Sequence, residues 1–138
     1  NRIYGVQFYK YDIVGILHWG YNFYNSQFSI EHINPYEVTD AGNAFPAGDP
    51  FLVYPGADGH PEESIRMMVQ DEAMADLRAL ELLESLTSKA HVMELIEGEL
   101  FEPLTFCTYP KSEMYLITLR NRINREIGRY QSEGCVRK

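Results

Sequence analysis

Two stretches of this chain read as β-strands, and two strands of this length cannot make a sheet alone. Residues 13–19 carry Ile13, Val14, Ile16 and Leu17 in an apolar run broken by Gly15, the pattern of a buried strand. Residues 51–54, Phe-Leu-Val-Tyr, follow Pro50 and precede Pro55-Gly56, as expected where proline is confined to strand ends. Short strands joined by a long crossover mark parallel α/β structure. The expected fold class is therefore α/β, with the missing strands supplied upstream or by another chain. An isolated piece would be helix-rich, and its unpaired strand edges would favour a homo-oligomer.

The helices are easier to place. Ile3, Val6, Phe8 and Tyr9 fit a period of 3.6, so residues 1–12 read as the end of a helix running into the first strand. The strongest helical signal runs from Pro61 to about Ser88. Pro61, Glu62 and Glu63 suit a first turn. Ile65, Met68, Val69, Ala73, Leu77, Leu80 and Leu83 then recur at steps of three and four. Arg66, Glu72 and Asp76 fall elsewhere on that cylinder. Ser88 is placed to cap a further helix to about Glu97, with Gly98 as its stop. Pro103 and Pro110 break the following stretch. Ser112 is placed to cap a last helix with Leu116, Leu119, Ile123, Ile127 and Tyr130 on one face, ended by Gly134 and the basic tail. Residues 25–50 are rich in Asn, Gly, Pro and Ser, which is long for a structureless loop. Ile30, Ile33, Tyr36 and Phe45 within it predict a packed loop rather than a linker.

Charge and motif content narrow the function classes. A formal net charge of −8 argues against a nucleic-acid backbone as partner. Arg120, Arg122, Arg125 and Arg129 read as the solvated side of the last helix. His32, His60 and His91 lack metal-ligand spacing, so no metal is expected. Gly56-Ala57-Asp58-Gly59 lacks the lysine of a phosphate loop. No Ser or Cys stands in a nucleophile elbow, and no cofactor is expected. Cys107 and Cys135 have no CxxC partners; a single disulfide between them stays open. No apolar run approaches a membrane span and no signal peptide is seen, so no membrane partner is expected. The chain begins at Asn1 rather than Met, which suggests that a native N-terminus was removed or lies upstream.

The first predicted strand ends in a burst of polar aromatics, His18-Trp19-Gly20-Tyr21-Asn22-Phe23-Tyr24. Ligands of parallel α/β sheets and barrels sit at the carboxyl ends of strands. Ten tyrosines and one tryptophan supply flat apolar faces with polar edges, which suit sugars. Trp19 could stack on a sugar or fill a core position under the loop. Tyr21, Asn22 and Tyr24 could hydrogen-bond a sugar or only pack the loop. Tyr54 ends the second strand on the productive side. Asp49 precedes that strand and could meet ligand or brace the loop. Asp40 and Asn43 read as turn formers. If the strand continues, His18 points to the face opposite Trp19 and reads as a satisfied buried histidine.

Four motifs in order carry a family resemblance: residues 18–24; Asn34-Pro35-Tyr36; Gly48-Asp49-Pro50-Phe51-Leu52-Val53-Tyr54-Pro55-Gly56; and Ser64-Ile65-Arg66. Together they resemble the C-terminal end of the glycoside hydrolase family 123-like catalytic domain, over residues 1 to about 85. The resemblance implies a (β/α)8 TIM-type barrel. Residues 1–88 would be its last βα units and residues 89–138 a helical C-terminal extension. It implies a retaining hexosaminidase acting on an amino-sugar glycoside, in which the substrate's acetamido oxygen attacks the anomeric carbon. An adjacent Asp–Glu pair on an earlier strand orients that group and acts as acid/base, outside the scheme in which the enzyme supplies the nucleophile. Asp71-Glu72 lies on the long helix and does not inherit that role, so no catalytic residue is expected in this chain. Met68 and Ala73 depart from the acidic residue and glycine of the family pattern, whereas Asp76 matches an acidic position. The expected substrate-binding residues are Trp19, Tyr21, Asn22, Tyr24, Tyr54 and Asp49, and the expected partner is carbohydrate. Two other readings are a non-catalytic carbohydrate-binding module and an assembly module that self-associates through its helices.

Overall fold

A computed structural model describes residues 2–136 of the protein, with side chains to residue 132. The expected basic tail at Arg137 and Lys138, and the side chain of Cys135 in the suggested disulfide, lie outside the described residues. The chain forms two compact units: Asn1–Val14 with Gln70–Lys138, and Gly15–Val69.

The first unit is helical. Helix α1 spans Tyr4–Lys10, α2 Ile65–Leu86, beginning in the other unit, α3 Lys89–Glu97 and α4 Glu113–Val136. Its core joins Ile3, Val6 and Tyr9 to Leu80 and Leu83 of α2, Val92, Leu95 and Ile96 of α3, and Leu119 and Ile123 of α4. Gly5 lets α1 press on α2: a Cβ there would lie 2.0 Å from the Ala73 carbonyl oxygen. Gln7 is buried and donates to the Thr105 carbonyl at 2.9 Å. Lys10 reaches Glu97 at 2.5 Å and the Leu104 carbonyl at 2.6 Å. These bonds satisfy polar groups that burial would otherwise penalise.

Ser88 and Ser112 cap as their sequence context predicts. The Ser88 hydroxyl accepts from the His91 amide at 3.2 Å, and Ser112 from the Met114 amide at 3.3 Å. Gly98 ends α3 without left-handed geometry, at φ −59°. Gly134 does not end α4, which continues to Val136. Asp76, expected off the apolar stripe of this helix, is 3% exposed. Its carboxylate accepts from Arg2 Nε at 2.7 Å and Nη2 at 3.1 Å, and from Arg120 Nη1 at 2.9 Å. Ala73, Asp76, Leu80 and Leu83 share the buried stripe of α2, spaced three, four and three apart.

The second unit is mostly irregular. Its one sheet among the described residues is an antiparallel pair, β1 at Val53–Pro55 and β2 at Pro61–Glu63, with Val53 opposite Glu63 and Tyr54 opposite Glu62. The Gly56 amide bonds the His60 carbonyl at 2.9 Å, closing the hairpin. This corrects three expectations. Among the described residues no strands pair in parallel, and the expected βα units of a barrel are not seen: the structure is helix-rich, as expected of an isolated piece, with a small antiparallel two-stranded sheet. Pro61-Glu62-Glu63 is a strand rather than a helical first turn; α2 starts after Ser64, whose hydroxyl accepts from the Met67 amide at 3.3 Å. Residues 13–19 form no strand, because no neighbouring backbone among the described residues offers a ladder. Val14 is fully exposed and Leu17 is 87% exposed. The 25–50 loop is only partly packed. Phe45 and Ile33 are half-buried, whereas Ile30 and Tyr36 are exposed. Asp40 forms the expected turn, its carboxylate accepting from the Gly42 and Asn43 amides at 3.1 and 2.9 Å. Among the described residues no helix is long and apolar enough to cross a membrane.

Candidate functional site

The aromatic stretch after residue 17 is tied to the stretch before β1. The amide of Leu52 bonds the carbonyls of Gly20 and Tyr21 at 3.1 and 2.8 Å, and the amide of Phe23 bonds the Pro50 carbonyl at 3.1 Å. Asn22 and Phe51 form an antiparallel bridge. Gly20 permits this approach, since a Cβ there would lie 2.4 Å from the Asp49 carbonyl oxygen. The crossing brings Trp19 and Asp49 together from 30 residues apart. Indole Nε1 donates to Asp49 Oδ2 at 3.2 Å. The indole packs tilted on Phe45, 4.5 Å between centroids, and edge-on to Phe23 at 5.4 Å. It remains 45% exposed.

His18 does not take the opposite side. Its Nε2 lies 4.0 Å from Asp49 Oδ1, and its Nδ1 accepts from the Gly20 amide at 3.1 Å. Strand alternation fails here because residues 18–20 turn rather than extend. The Gly20 bond leaves the neutral ring with its proton on Nε2, facing the carboxylate. Asp49 therefore braces Trp19 and stands beside the His18 ring. Its Oδ2 is engaged by the indole, while Oδ1 makes no hydrogen bond among the described residues.

A second aromatic group surrounds β1. The Tyr24 hydroxyl donates to the Val53 carbonyl at 2.9 Å, and its ring packs on Phe51 at 5.9 Å. Tyr54 packs on Phe51 at 5.7 Å and on Tyr36 at 5.2 Å. Burial raises the Tyr24 phenol above its ordinary range. The Tyr36 hydroxyl meets the Pro55 carbonyl at 3.1 Å and Glu62 Oε2 at 3.0 Å. Desolvation, then the Glu62 hydrogen bond, push that phenol upward. Tyr21 and Asn22 are exposed, and their side chains make no hydrogen bond among the described residues.

Thus Trp19 and Asp49 share one cluster, Tyr24 and Tyr54 share another, and Tyr21 and Asn22 stand on the surface of the same unit. Tyr54 does not stand at the end of a parallel strand, since β1 runs antiparallel to β2. The sequence alone gave no place in a site to Phe23, Phe45, Tyr36, Glu62 or Arg66. Tyr36 and Arg66 lie within the motifs quoted above, which was the available signal; Glu62 was hidden by its reading as a helical residue. Asp71 and Glu72 are exposed on α2, Glu72 lying 3.5 Å from Arg2. No group of His, Cys, Asp or Glu among the described residues could hold a metal ion.

The glycoside hydrolase 123 catalytic-domain model matches residues 1–83, more than half of the chain. The chain belongs to the glycoside hydrolase 123 family. No curated protein matches it. The family match takes in all of the 15–69 unit, α1 and most of α2, and ends before α3. The aromatic clusters of this glycoside hydrolase 123 chain therefore all lie inside the matched segment, and the resemblance expected from the four motifs is confirmed.

Proposed function

We propose that this glycoside hydrolase 123 chain is the C-terminal part of a hexosaminidase-type catalytic domain that supplies the walls of the substrate pocket but not its acid/base pair. Residues 1–88 would be the last βα units of a larger barrel and residues 89–138 its helical extension. Trp19, Tyr21, Asn22, Tyr24, Tyr54 and Asp49 would meet an amino-sugar glycoside, whose acetamido group acts as nucleophile in the complete protein. The observation that carries this reading is the half-exposed indole of Trp19, held by Asp49 and Phe45. One edge is fixed by a hydrogen bond while 45% of the residue stays exposed, which suits contact with a pyranose ring.

The test is calorimetric titration of the 138-residue chain with methyl N-acetyl-β-galactosaminide. Trp19→Ala is expected to weaken binding about tenfold, the scale of one lost aromatic contact, with an unchanged far-ultraviolet circular dichroism spectrum. Unchanged affinity in the folded variant would overturn the assignment. The exposed run Val14, Ile16 and Leu17 favours a second reading, a carbohydrate-binding or assembly module that self-associates along this segment. Sedimentation that depends on concentration, abolished by Leu17→Lys, would support it; a monomer at all concentrations would refute it.

A further inference from the structure

Beyond the family match, α3, α4 and the connection between them enclose a groove of about 360 Å³, floored by Leu95, Ile96, Leu100, Pro110, Met114 and Leu119. One residue along the chain from Leu100, the Phe101 side chain stands fully in solvent. We infer that two copies of the chain meet on this face, the Phe101 ring of each filling the α3–α4 groove of the other. An exposed apolar side chain on its own is ordinary. Phe101 is set apart by what holds it. Glu97, at the end of α3, accepts at Oε1 from the Leu104 amide at 2.7 Å and from Lys10 at 2.5 Å, and its carbonyl accepts from the Leu100 amide at 2.8 Å. Leu104 is fully buried. The loop is thus pinned on both sides of Phe101, which lowers the cost of ordering the ring on docking. The groove is braced too, since the Tyr115 hydroxyl donates to the Ile96 carbonyl at 3.0 Å.

The face is self-complementary. It carries both the ring and the groove, so a two-fold axis between them satisfies both contacts at once and closes the assembly at two copies. The charges agree with this pairing. Glu102, next to Phe101, is exposed and makes no ion pair among the described residues. Arg122 lines the groove and engages Glu99 through Nη1 at 3.0 Å, and Glu99 is 80% exposed. Seating Phe101 brings Glu102 of one copy to the rim that holds Arg122 of the other, and opposite charges there fix the register. Two aromatic rings bury roughly 150–250 Å² each, a fraction of the roughly 1,200–2,000 Å² of a standard interface. The dimer is therefore weak, in the micromolar range or above.

The experiment is sedimentation velocity of the 138-residue chain from micromolar to near-millimolar concentration. The sedimentation coefficient is expected to rise toward that of a dimer. Phe101→Ser removes the ring, and Thr118→Arg, at an exposed position lining the groove, obstructs its seat. Each should weaken the dimer at least about tenfold, the scale of lost aromatic contacts. Both side chains are exposed, so the far-ultraviolet circular dichroism spectrum should not change. An equal mixture of the two variants regains one ring–groove contact and should sediment faster than either alone. Leu17→Lys should leave the dimer intact, which separates this surface from the apolar run at residues 14–17. A monomer at all concentrations, a dimer that survives Phe101→Ser or Thr118→Arg, or a dimer abolished by Leu17→Lys overturns the inference.

Discussion

Replacing Asp76 with asparagine should destabilise the helical unit more than any other single polar substitution described here. The carboxylate is 4% exposed and accepts three hydrogen bonds from two guanidinium groups. Breaking a buried ion pair typically costs about 3–5 kcal/mol, because the surviving charge is left without compensation. Arg2 and Arg120 are 28% and 29% exposed, so they recover some hydration and the lower end applies, about 3 kcal/mol. For a chain of this size that is roughly a 10 °C fall in Tm. Urea unfolding followed by circular dichroism at 222 nm reads the helices directly. The control is Glu72→Gln: Glu72 is 60% exposed and 3.5 Å from the same Arg2, and its loss should cost under about 0.5 kcal/mol. A loss below about 1 kcal/mol for Asp76→Asn would refute the argument, since it would mean that the two arginines need no buried counter-charge.

Two further outcomes follow from local geometry. Gly48 stands at φ +78°, where a Cβ would lie 1.8 Å from Arg66 Nη2, so Gly48→Ala forces a left-handed backbone and a clash with Arg66; it should lower the stability of the 15–69 unit by about 2 kcal/mol. Adding Arg66→Ala should leave only the backbone share of that loss, and a strictly additive pair in fluorescence-monitored unfolding would contradict the clash. Burial, then the field of Glu97, push the Tyr115 phenol up to about 12, from about 10 in an unfolded chain. The folded state holds this proton more tightly, so the associated stability is complete below pH 10 and is lost as pH rises from about 10 to 12. The loss should be of the order of 2 kcal/mol, and Tyr115→Phe should flatten that segment of the pH profile; an unchanged slope would count against it.

The parts of the fold legible in the sequence are those fixed by local chemistry. Ser88 and Ser112 each precede a helix because a hydroxyl there satisfies a free amide, whatever the rest of the chain does. The start of α2 was not legible: Pro61-Glu62-Glu63 suits a helical first turn and an exposed edge strand equally, and the hairpin partner Val53–Pro55 decides between them. Residues 13–19 have strand composition, but a strand exists only where another backbone accepts its hydrogen bonds. Asp76 was hidden by its type, although its spacing from Ala73 and Leu80 marked the buried stripe. At the site, Trp19, Asp49, Tyr24 and Tyr54 were visible as aromatic and acidic residues beside turns. Their grouping into two clusters depends on the antiparallel bridge of Asn22 with Phe51, a long-range pairing that no local pattern encodes.

The contact of Gly5 with the Ala73 carbonyl acts as a positional key between two helices. A Gly Cα–H directed at a carbonyl oxygen is a weak bond, but its main effect is to admit a single alignment. A shift of α1 by one residue would put Tyr4 or Val6, each with a Cβ, where no atom fits. The same alignment places Arg2, three residues before Gly5, level with Asp76, three residues after Ala73. One absent methyl group thus sets the meshing of α1 with α2, and the two-pronged grip of Arg2 on Asp76 is the next tooth of the same gear.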